Sequence, residues 1–236
     1  MKYSFVIPVH NEEENLSPLM DEIEVVRGKL DGESEVLFVN DGSTDKSGAV
    51  LDGLSEKFAP VHIVTFEKNA GQSAAFAEGI QQAEGEVIIT MDADLQNNPA
   101  DIPRMLQFYP EYDVVIGKRI HRRDSLKKKL SSLIANTIRN RITNENIADT
   151  GCSLKIFKAA FLKRITFYNG FHRFLPTLCR MEGASVREVP VSHRSRRFGE
   201  THYGTKNRAF SAFLDALVVR WMMQRKLNYT VKKDTR

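Results

Sequence analysis

Short apolar runs alternate with longer polar stretches along much of the chain. Strands are predicted at the apolar runs 3–9, 35–39, 61–66, 86–91, 112–116, 153–157 and 188–191. Helices are predicted at the intervening stretches 12–29, 44–57 and 72–83 and after Asn98-Pro99. Ser43 or Thr44 is a suitable N-cap for the second of these helices. Near-continuous apolar strands that alternate with helices predict an α/β fold, with a mostly parallel sheet covered by helices on both faces.

The region 125–138 has the pattern of a basic amphipathic helix. Its apolar residues repeat at helical spacing, and basic residues such as Lys127, Lys128 and Lys129 stand between them. A helix of this kind can lie on an anionic membrane surface. A solvated helix packed on the domain is the commoner outcome, so the pattern alone leaves both interpretations open.

The last predicted helix carries a broad apolar face. Seven residues recur there at i, i+3 and i+4 spacing: Phe210, Phe213, Leu214, Leu217, Val218, Trp221 and Met222. Trp221 is followed by Arg225 and Lys226, and an aromatic residue with cationic flanks suits a membrane interface. Packing against the main domain explains the face equally well. We therefore divide the chain into a main domain, 1–204, and a C-terminal amphipathic helix with a basic tail, 205–236.

The composition is that of a globular protein with one sizeable core. The 236 residues are 42% hydrophobic, and no run approaches the roughly 18 uninterrupted apolar residues of a transmembrane helix. Two cysteines, Cys152 and Cys179, and no recognisable signal peptide indicate a reduced intracellular protein with semi-buried thiols. Any work at a membrane is expected at its surface, which predicts a cytoplasmic, peripheral location.

Positive charge is concentrated in two regions. The net charge is +4, yet residues 118–141 contain nine Lys or Arg against a single acid, Asp124. A second basic cluster surrounds Gly199 and includes Arg194, Arg196 and Arg197. This asymmetry indicates a polyanionic partner, such as a phosphorylated ligand, an anionic lipid or a nucleic acid.

The most informative short motif is Asp92-Ala93-Asp94, which follows the apolar run ending at Thr90. Residues i and i+2 of an extended backbone point the same way, so both carboxylates can face one cation. Gln96 adds an amide oxygen two residues further on. Mg2+ and Mn2+ take oxygen ligands and keep positions open for substrate phosphates. A D-x-D arises easily by chance, but its place at the carboxyl end of a strand, where open α/β sheets bind ligands, predicts a metal site.

Another polar loop follows the second predicted strand. Asp41 lies in the sequence NDGSTD at 40–45, where it can accept hydrogen bonds from a nucleobase or ribose, or simply form a turn. The chain contains no G-x-G-x-x-G and no Walker A sequence. A dinucleotide cradle and a P-loop are therefore not predicted.

Together these segments resemble the family 2 glycosyltransferases of GT-A fold, and among them the sugar transferases that use dolichyl or undecaprenyl phosphate. The matching segments are VIPVHNEEENL (6–16), NDGSTD (40–45), NAG (69–71), DADLQNNP (92–99), GKR (117–119), DTGC (149–152) and RRFGETHYG (196–204). The resemblance makes 1–204 the catalytic domain. It implies an inverting enzyme that moves a sugar from a nucleotide diphosphate-sugar, GDP-mannose or a UDP-sugar, to a polyprenyl phosphate at an anionic membrane surface.

The resemblance also implies roles for individual residues. The nucleotide would be held by Pro8, His10, Glu12, Val39 and Asp41. The donor diphosphate and its metal, Mg2+ or Mn2+, would be lined by Asp92, Ala93, Asp94 and Gln96. The acceptor phosphate would meet Arg119, Arg196 and His202. The implied catalytic residues are thus Asp92, Asp94, Arg119 and Arg196, and the implied metal ligands are Asp92, Asp94 and Gln96.

Three residues depart from the family pattern. His10 stands where a Tyr is usual, and Asn40 replaces the first acid of the usual Asp-Asp-Gly. His202 replaces a common lysine, and a neutral histidine contacts phosphate more weakly than a cation does. These departures leave the implied reaction in place but bear on the identity of donor and acceptor. The sequence specifies neither sugar, base, prenol nor oligomeric state.

Two alternatives are weighed against this function. A family 2 glycosyltransferase of cell-envelope glycan synthesis could use a soluble or polysaccharide acceptor, since no spanning helix is predicted. The basic stripe 118–141 could instead belong to a nucleic-acid-binding module. That second alternative leaves the carboxylate loops unexplained, and the stripe has no interleaved aromatic residues, so a nucleic-acid partner is not predicted.

Overall fold

In the computed structural model, residues 1–120, 126–196, 198 and 205–227 are described, with the backbone alone at 126–134 and 205–210. The strands are β1 (Tyr3–Val9), β2 (Ser34–Asn40), β3 (Val61–Thr65), β4 (Val87–Thr90), β5 (Val114–Arg119), β6 (Lys155–Lys158) and β7 (Val186–Val191). The helices are α1 (Glu13–Arg27), α2 (Ser47–Lys57), α3 (Gln72–Gln82), α4 (Ile102–Leu106), α5 (Leu126–Thr143), α6 (Ala159–Leu162), α7 (Leu175–Met181) and α8 (Thr205–Arg225). The predicted alternation is confirmed, and α6 and α7 are additional.

The strands form one mixed sheet in the order β3-β2-β1-β4-β6-β5-β7. All neighbouring pairs are parallel except those of β6, which runs antiparallel to both β4 and β5. The predicted mixed, mostly parallel sheet is therefore confirmed. Because β1, β2 and β4 are parallel neighbours, the loops that leave their carboxyl ends meet at one edge of the sheet.

Helices cover both faces of the sheet and bury a core on each. On one face, α1 and α2 contribute Leu16, Met20 and Leu51. On the other face, α3 contributes Phe76 and α7 contributes Leu178. Strand residues that point alternately to the two faces join both cores, which is the arrangement expected for strands buried on both sides.

The last helix, α8, packs on the domain along a narrow strip. Ala216 and Val219 are buried in the second core, and Met222 and Met223 pack against it. Met222 therefore does not lie with the predicted apolar face, most of which points away from the domain. No helix in the described ranges is long and apolar enough to cross a bilayer.

Both cysteines are free thiols in the structure. Cys152 and Cys179 are fully buried rather than semi-buried, because each faces one of the two cores. Burial raises the pKa of Cys152 to about 11. A thiol with so high a pKa is a poor nucleophile at neutral pH, so Cys152 has the properties of a packing residue.

Candidate active site

The loops that follow β1 and β2 are bound to each other through side chains. The Asn11 N–H donates to Ser43 Oγ at 3.0 Å, and the Glu12 N–H donates to Ser47 Oγ at 2.9 Å. In return, the Thr44 N–H donates to Asn11 Oδ1 at 2.8 Å. The predicted helix cap, Ser43 or Thr44, is wrong, because both residues bind the neighbouring loop and α2 begins only at Ser47.

Asp41 is buried, and its carboxylate binds the loop that leads into α3. Its Oδ1 accepts from the Ala70 N–H at 2.6 Å, and its Oδ2 accepts from the Gly71 N–H at 2.9 Å. Its backbone carbonyl lies 2.8 Å from His10 Nδ1. Asp41 thus joins the loops after β1, β2 and β3, which is a tertiary role beyond that of a simple turn former. A direct contact with a base or ribose stays a prediction.

Gly42 allows this loop to pass close to its neighbour. Its φ is 60°, and an added Cβ would lie 2.4 Å from backbone atoms of Lys68 and Asn69. Other residues disfavour that left-handed region and would also collide with the backbone. Glycine is therefore required immediately after Asp41.

The residues implied to hold the nucleotide differ in accessibility. Pro8, His10 and Glu12 are half-buried at the edge of the sheet, whereas Val39 is fully buried. The Val39 side chain faces α3, where a Cβ added to Gly79 would lie 3.1 Å from Val39 Cγ2. The structure gives Val39 a packing role. The contacts of these residues with a nucleotide stay predictions.

Asp92 and Asp94 lie just beyond β4, at the predicted edge of the sheet but in a bend. Leu95 turns the chain there, with a φ of 59° in the left-handed region that a branched residue seldom adopts. Asp94 Oδ1 accepts from the Gln96 N–H at 3.1 Å, and Asp92 Oδ1 accepts from Gln72 Nε2 at 2.8 Å. The expectation of an extended backbone at this pair is wrong, because the chain bends at residues 93–95.

Negative charges accumulate around this pair. Burial and the charge of Asp94 raise the pKa of Asp92, while a hydrogen bond with Ser153 and the cation of Lys155 oppose the shift. Burial also raises the pKa of the nearby Glu12. Carboxylates that repel one another in this way form a site that a cation would stabilise.

Arg119, the last residue of β5, is bound to Asp149. Its Nε and Nη2 donate to the two carboxylate oxygens at 2.7 Å each, and its backbone N–H donates to Oδ2 at 3.1 Å. Burial alone would lower the pKa of Arg119, but its bonds to Asp149 raise it. One edge of the guanidinium is thus occupied, and a phosphate would meet the end formed by Nη1 and Nη2.

The loop that carries Asp149 is held in place by Glu188 of β7. The Glu188 carboxylate accepts from the N–H groups of Ala148 and Asp149, each at 3.0 Å. Gly151 leaves room for the guanidinium, since an added Cβ would lie 2.9 Å from Arg119 Nη2. The segment Asp149-Thr150-Gly151 therefore fixes the position of Arg119.

Arg196, five residues after the end of β7, reaches the carboxylate pair. Its Nη2 donates to Asp94 Oδ2 at 3.1 Å and lies 3.5 Å from Glu12 Oε1. The structure therefore brings Arg196 to a predicted metal ligand. Residues 197 and 199–204, which include the implied phosphate contact His202, lie outside the described residues.

The described residues contain no group of three or more His, Cys, Asp or Glu side chains that could hold a metal ion. Asp92 and Asp94 would therefore supply the anionic protein ligands. Mg2+ is usually bound through one or two carboxylates together with substrate phosphates. The two mutually repelling carboxylates of Asp92 and Asp94 fit a divalent cation whose remaining ligands include the oxygens of a diphosphate. The metal contact of Gln96 stays a prediction.

Two residues beside the carboxylate pair were not predicted from the sequence. Gln72, the first residue of α3, donates to Asp92, and the buried Lys155 lies opposite Thr90 in the pairing of β6 with β4. Burial lowers the pKa of Lys155. A lysine inside the otherwise apolar run 154–157 was a usable signal. The bond from Gln72 had none, because its partner lies 20 residues away.

Comparison with known proteins identifies the family of this site. Residues 4–166 match the model described as glycosyl transferase family 2. The chain belongs to this family. The predictions of family 2 membership and of a glycosyltransferase are therefore confirmed, and the carboxylate pair after β4 lies within the matched region.

Two curated relatives of family 2 match beyond that region. The dodecaprenyl-phosphate galacturonate synthase of Rhizobium johnstonii is 35% identical over 96% of this chain and 68% of that protein. The undecaprenyl-phosphate 4-deoxy-4-formamido-L-arabinose transferase of Pectobacterium carotovorum subsp. carotovorum is 36% identical over 85% of this chain and 62% of that protein. The chain thus spans about two thirds of the length of these relatives.

Solved structures share the fold at low sequence identity. Glucosyl-3-phosphoglycerate synthase from Mycobacterium tuberculosis in complex with phosphoglyceric acid has a TM-score of 0.68 at 16% identity, covering 93% of this chain and 79% of that one. Its complex with Mn2+, uridine-diphosphate and glucosyl-3-phosphoglycerate has a TM-score of 0.66 at 14% identity, covering 94% and 78%. The predicted GT-A fold is confirmed.

Proposed function

We propose that this family 2 protein transfers a sugar from a nucleotide diphosphate-sugar to a polyprenyl phosphate at the membrane surface. The observation that carries the proposal is the meeting of Asp92 and Asp94 with Arg119 and Arg196 at one edge of the sheet. The carboxylates suit a divalent cation that carries a diphosphate, and the arginines suit a second phosphate. The names of both curated relatives, which refer to polyprenyl phosphates, support this acceptor.

The donor would lie across the loops after β1, β2 and β4. GDP-mannose and UDP-sugars are the candidate donors. The residues assigned to the nucleotide are Pro8, His10, Glu12, Val39 and Asp41. The residues assigned to the diphosphate are Asp92, Ala93, Asp94 and Gln96. The direct bonds between the first two loops support this assignment, because they hold the nucleotide side of the site in one arrangement.

A divalent cation, Mg2+ or Mn2+, would be held by Asp92 and Asp94 with the amide oxygen of Gln96. When bound, it neutralises charge on the departing diphosphate. The chain's own contribution is to orient the carboxylates. Gln72 fixes Asp92 from one side, and the Gln96 N–H fixes Asp94 from another. Prior orientation of this kind lowers the cost of binding in the transition state.

The acceptor phosphate would attack the anomeric carbon directly. A new bond forms between a phosphate oxygen and that carbon while the bond to the diphosphate oxygen breaks, so the anomeric configuration inverts. A phosphate monoester is already largely ionised at neutral pH, since its second pKa is about 6. A strong general base is therefore unnecessary. Arg119, held rigidly by Asp149, and Arg196 would hold the phosphate in line.

The test is a screen of nucleotide sugars for transfer to undecaprenyl phosphate in detergent, with Mg2+ or Mn2+. We expect one donor to yield a polyprenyl-phosphate sugar with stoichiometric release of nucleoside diphosphate, and EDTA to stop the reaction. Transfer only to soluble or polysaccharide acceptors would contradict the proposed acceptor. Binding of nucleic acid without any sugar transfer would contradict the proposed enzymatic activity.

The exposed face of α8 supports the membrane part of the proposal. Its large apolar residues are 44–60% exposed: Phe213, Leu214, Leu217, Val218 and Trp221. The helix packs beside α5, where Ile138 is also 45% exposed. A soluble monomer rarely exposes so broad an apolar patch. Cations flank the patch at Arg220 and Arg225, which suits an anionic lipid surface.

We predict that the purified chain binds anionic liposomes in a salt-dependent manner. Each nearby Lys or Arg contributes about 1 kcal/mol at an anionic surface, screened over a Debye length of roughly 8 Å at physiological salt. High salt should weaken binding without abolishing it, because apolar insertion persists. Replacing Lys127, Lys128 and Lys129 of α5 with Gln should reproduce the effect of salt. Liposome co-sedimentation measures both results.

A matched triple variant controls for net charge. Lys29, Lys57 and Lys68 are exposed on other parts of the domain, and their replacement by Gln removes the same charge. This control variant should bind liposomes nearly as tightly as the parent. Parent-like binding by the α5 variant, or equal binding of the parent to neutral liposomes, would show that α5 does not face the membrane.

A further inference from the structure

The segment 192–196, which we name the strap, is hydrogen-bonded to the stretch that follows the carboxylate pair. Asp101 Oδ2 accepts from the Ser192 N–H at 2.8 Å and from Ser192 Oγ at 2.6 Å. His193 forms a β-bridge with Asn97. The strap thus runs antiparallel to the chain that leaves the carboxylate pair, and it ends at Arg196.

A second contact holds the strap from the side of α1. Arg194 Nη1 donates to both carboxylate oxygens of Glu22, at 2.7 and 2.8 Å, and the Arg194 N–H donates to the Gln96 carbonyl at 2.9 Å. Arg194 is therefore fixed by its side chain and its backbone at once. Glu22 lies in the middle of α1, on a helix whose buried side anchors it to the core.

Arg196, two residues further along the strap, is the residue that reaches Asp94. An arginine side chain is long and flexible, so the position of its guanidinium depends on the position of the backbone that carries it. Displacement of a positioning element by about 1 Å can cost up to a hundredfold in rate. Arg194 is the last residue before Arg196 that is held by both backbone and side-chain bonds, and its side chain is bound to Glu22.

We propose that Glu22 is a positioning residue which, through Arg194, holds the strap so that Arg196 meets the acceptor phosphate. This inference rests on the proposed function, because Arg196 is assigned to the acceptor there. Glu22 itself touches neither substrate. Its role is to fix the strap at a place where the sheet has ended and backbone pairing is limited to the bridge at His193.

If the ion pair between Glu22 and Arg194 only stabilised the fold, its loss would have a different effect from the loss of a positioning contact. Both side chains are 30% exposed, and ion pairs with such access to water contribute little to global stability. Loss of the pair should then change neither substrate's KM. A positioning role instead predicts a selective effect on the acceptor at nearly unchanged melting temperature.

The experiment is a charge swap between the two residues. Glu22→Arg and Arg194→Glu each place like charges together, and each should raise the KM for undecaprenyl phosphate roughly tenfold. The KM for the nucleotide sugar should stay within about twofold of the parent, because the side-chain bonds that are removed join Glu22 to Arg194 and reach no residue assigned to the donor. The double variant restores opposite charges and should recover most of the acceptor KM.

Glu24→Gln is the matched control on the same helix. Glu24 pairs with Arg27 and has no bond to the strap, so this variant should keep both KM values. The inference is overturned if the single variants raise both KM values equally, if they change neither, or if the charge swap fails to restore the acceptor KM.

Hydrogen exchange provides a readout that does not need the acceptor. In the Glu22→Arg variant the Arg194 N–H should exchange faster, because its bond to Gln96 loses the support of Glu22. The Ser192 N–H, bound separately to Asp101, should keep its rate, and in the double variant the backbone N–H at position 194 should recover protection. Unchanged exchange at Arg194 overturns the inference even if no polyprenyl phosphate is a substrate, whereas lack of transfer by the parent overturns only the proposed function.

Discussion

Asp94→Ala is expected to abolish sugar transfer while leaving the fold intact. The residue would supply half of the anionic metal ligands, and the loss of a single electrostatic contact to developing charge already costs about 10²–10³ in rate. We expect a loss of roughly a thousandfold or more. The fold should survive because Asp94 repels Asp92, whose pKa is raised in part by that charge. Removal of Asp94 relieves this repulsion, so the melting temperature should not fall appreciably.

Turnover, melting temperature and Mn2+ binding together test this expectation. Asp52→Ala is the matched control, since Asp52 is exposed on α2 away from the carboxylate pair, and it should behave like the parent. Asp94→Asn keeps the shape of the side chain but not its charge, and it should be nearly as inactive as the alanine variant. Near-parental turnover by Asp94→Ala, or indifference of the parent to EDTA, would refute the metal assignment.

The fold was predictable because its strands are marked by composition. Apolar runs such as those of β1 and β4 are short, nearly continuous and separated by helix-length polar stretches, a pattern typical of a parallel sheet. The direction of β6 was not predictable. The apolar pattern of a strand does not show whether it runs parallel or antiparallel to its neighbours. The antiparallel pairing of β6 with β4 and β5 depends on tertiary contacts.

The orientation of α8 was predictable only in part. Its spacing correctly indicated a broad apolar face, but helical periodicity does not state which apolar strip packs on the domain. The structure buries the narrow strip of Ala216 and Val219 and leaves Leu217 and Trp221 exposed. Met222 and Met223 continue this strip at the end of the helix, so the side that packs on the domain differs from the predicted face. The exposed face is the surface assigned to the membrane.

Residues of the candidate site were likewise predictable where a local motif marks them. Contacts between residues far apart in the sequence were not predictable. Asp92 and Asp94 were predicted from a local motif at a strand end, and the structure places them there. The partner of Arg119 was not predicted, because Asp149 lies 30 residues away in sequence. One edge of the Arg119 guanidinium already binds that carboxylate, so the implied phosphate contact would be made by the end formed by Nη1 and Nη2.

Arg196→Ala should raise the apparent requirement for polyprenyl phosphate much more than that for the nucleotide sugar. Arg196 is assigned to the attacking phosphate, and loss of a charge-assisted contact of this kind weakens binding by roughly ten- to a hundredfold. The donor should not suffer in the same way. Arg196 currently binds Asp94 Oδ2, so its removal frees an oxygen of a metal ligand and removes a positive charge that opposes the metal.

The two KM values measured for each variant decide between the acceptor and donor assignments of Arg196. Arg196→Lys keeps the charge but loses the paired N–H donors of the planar guanidinium. Its acceptor KM should therefore lie between those of the parent and the alanine variant. Arg164→Ala is the control, because Arg164 is an exposed arginine outside the site. Equal losses for both substrates in Arg196→Ala would place the guanidinium at the donor diphosphate. The strap held by Glu22 would then close over the donor, and Arg119 would be left as the described arginine that receives the acceptor phosphate.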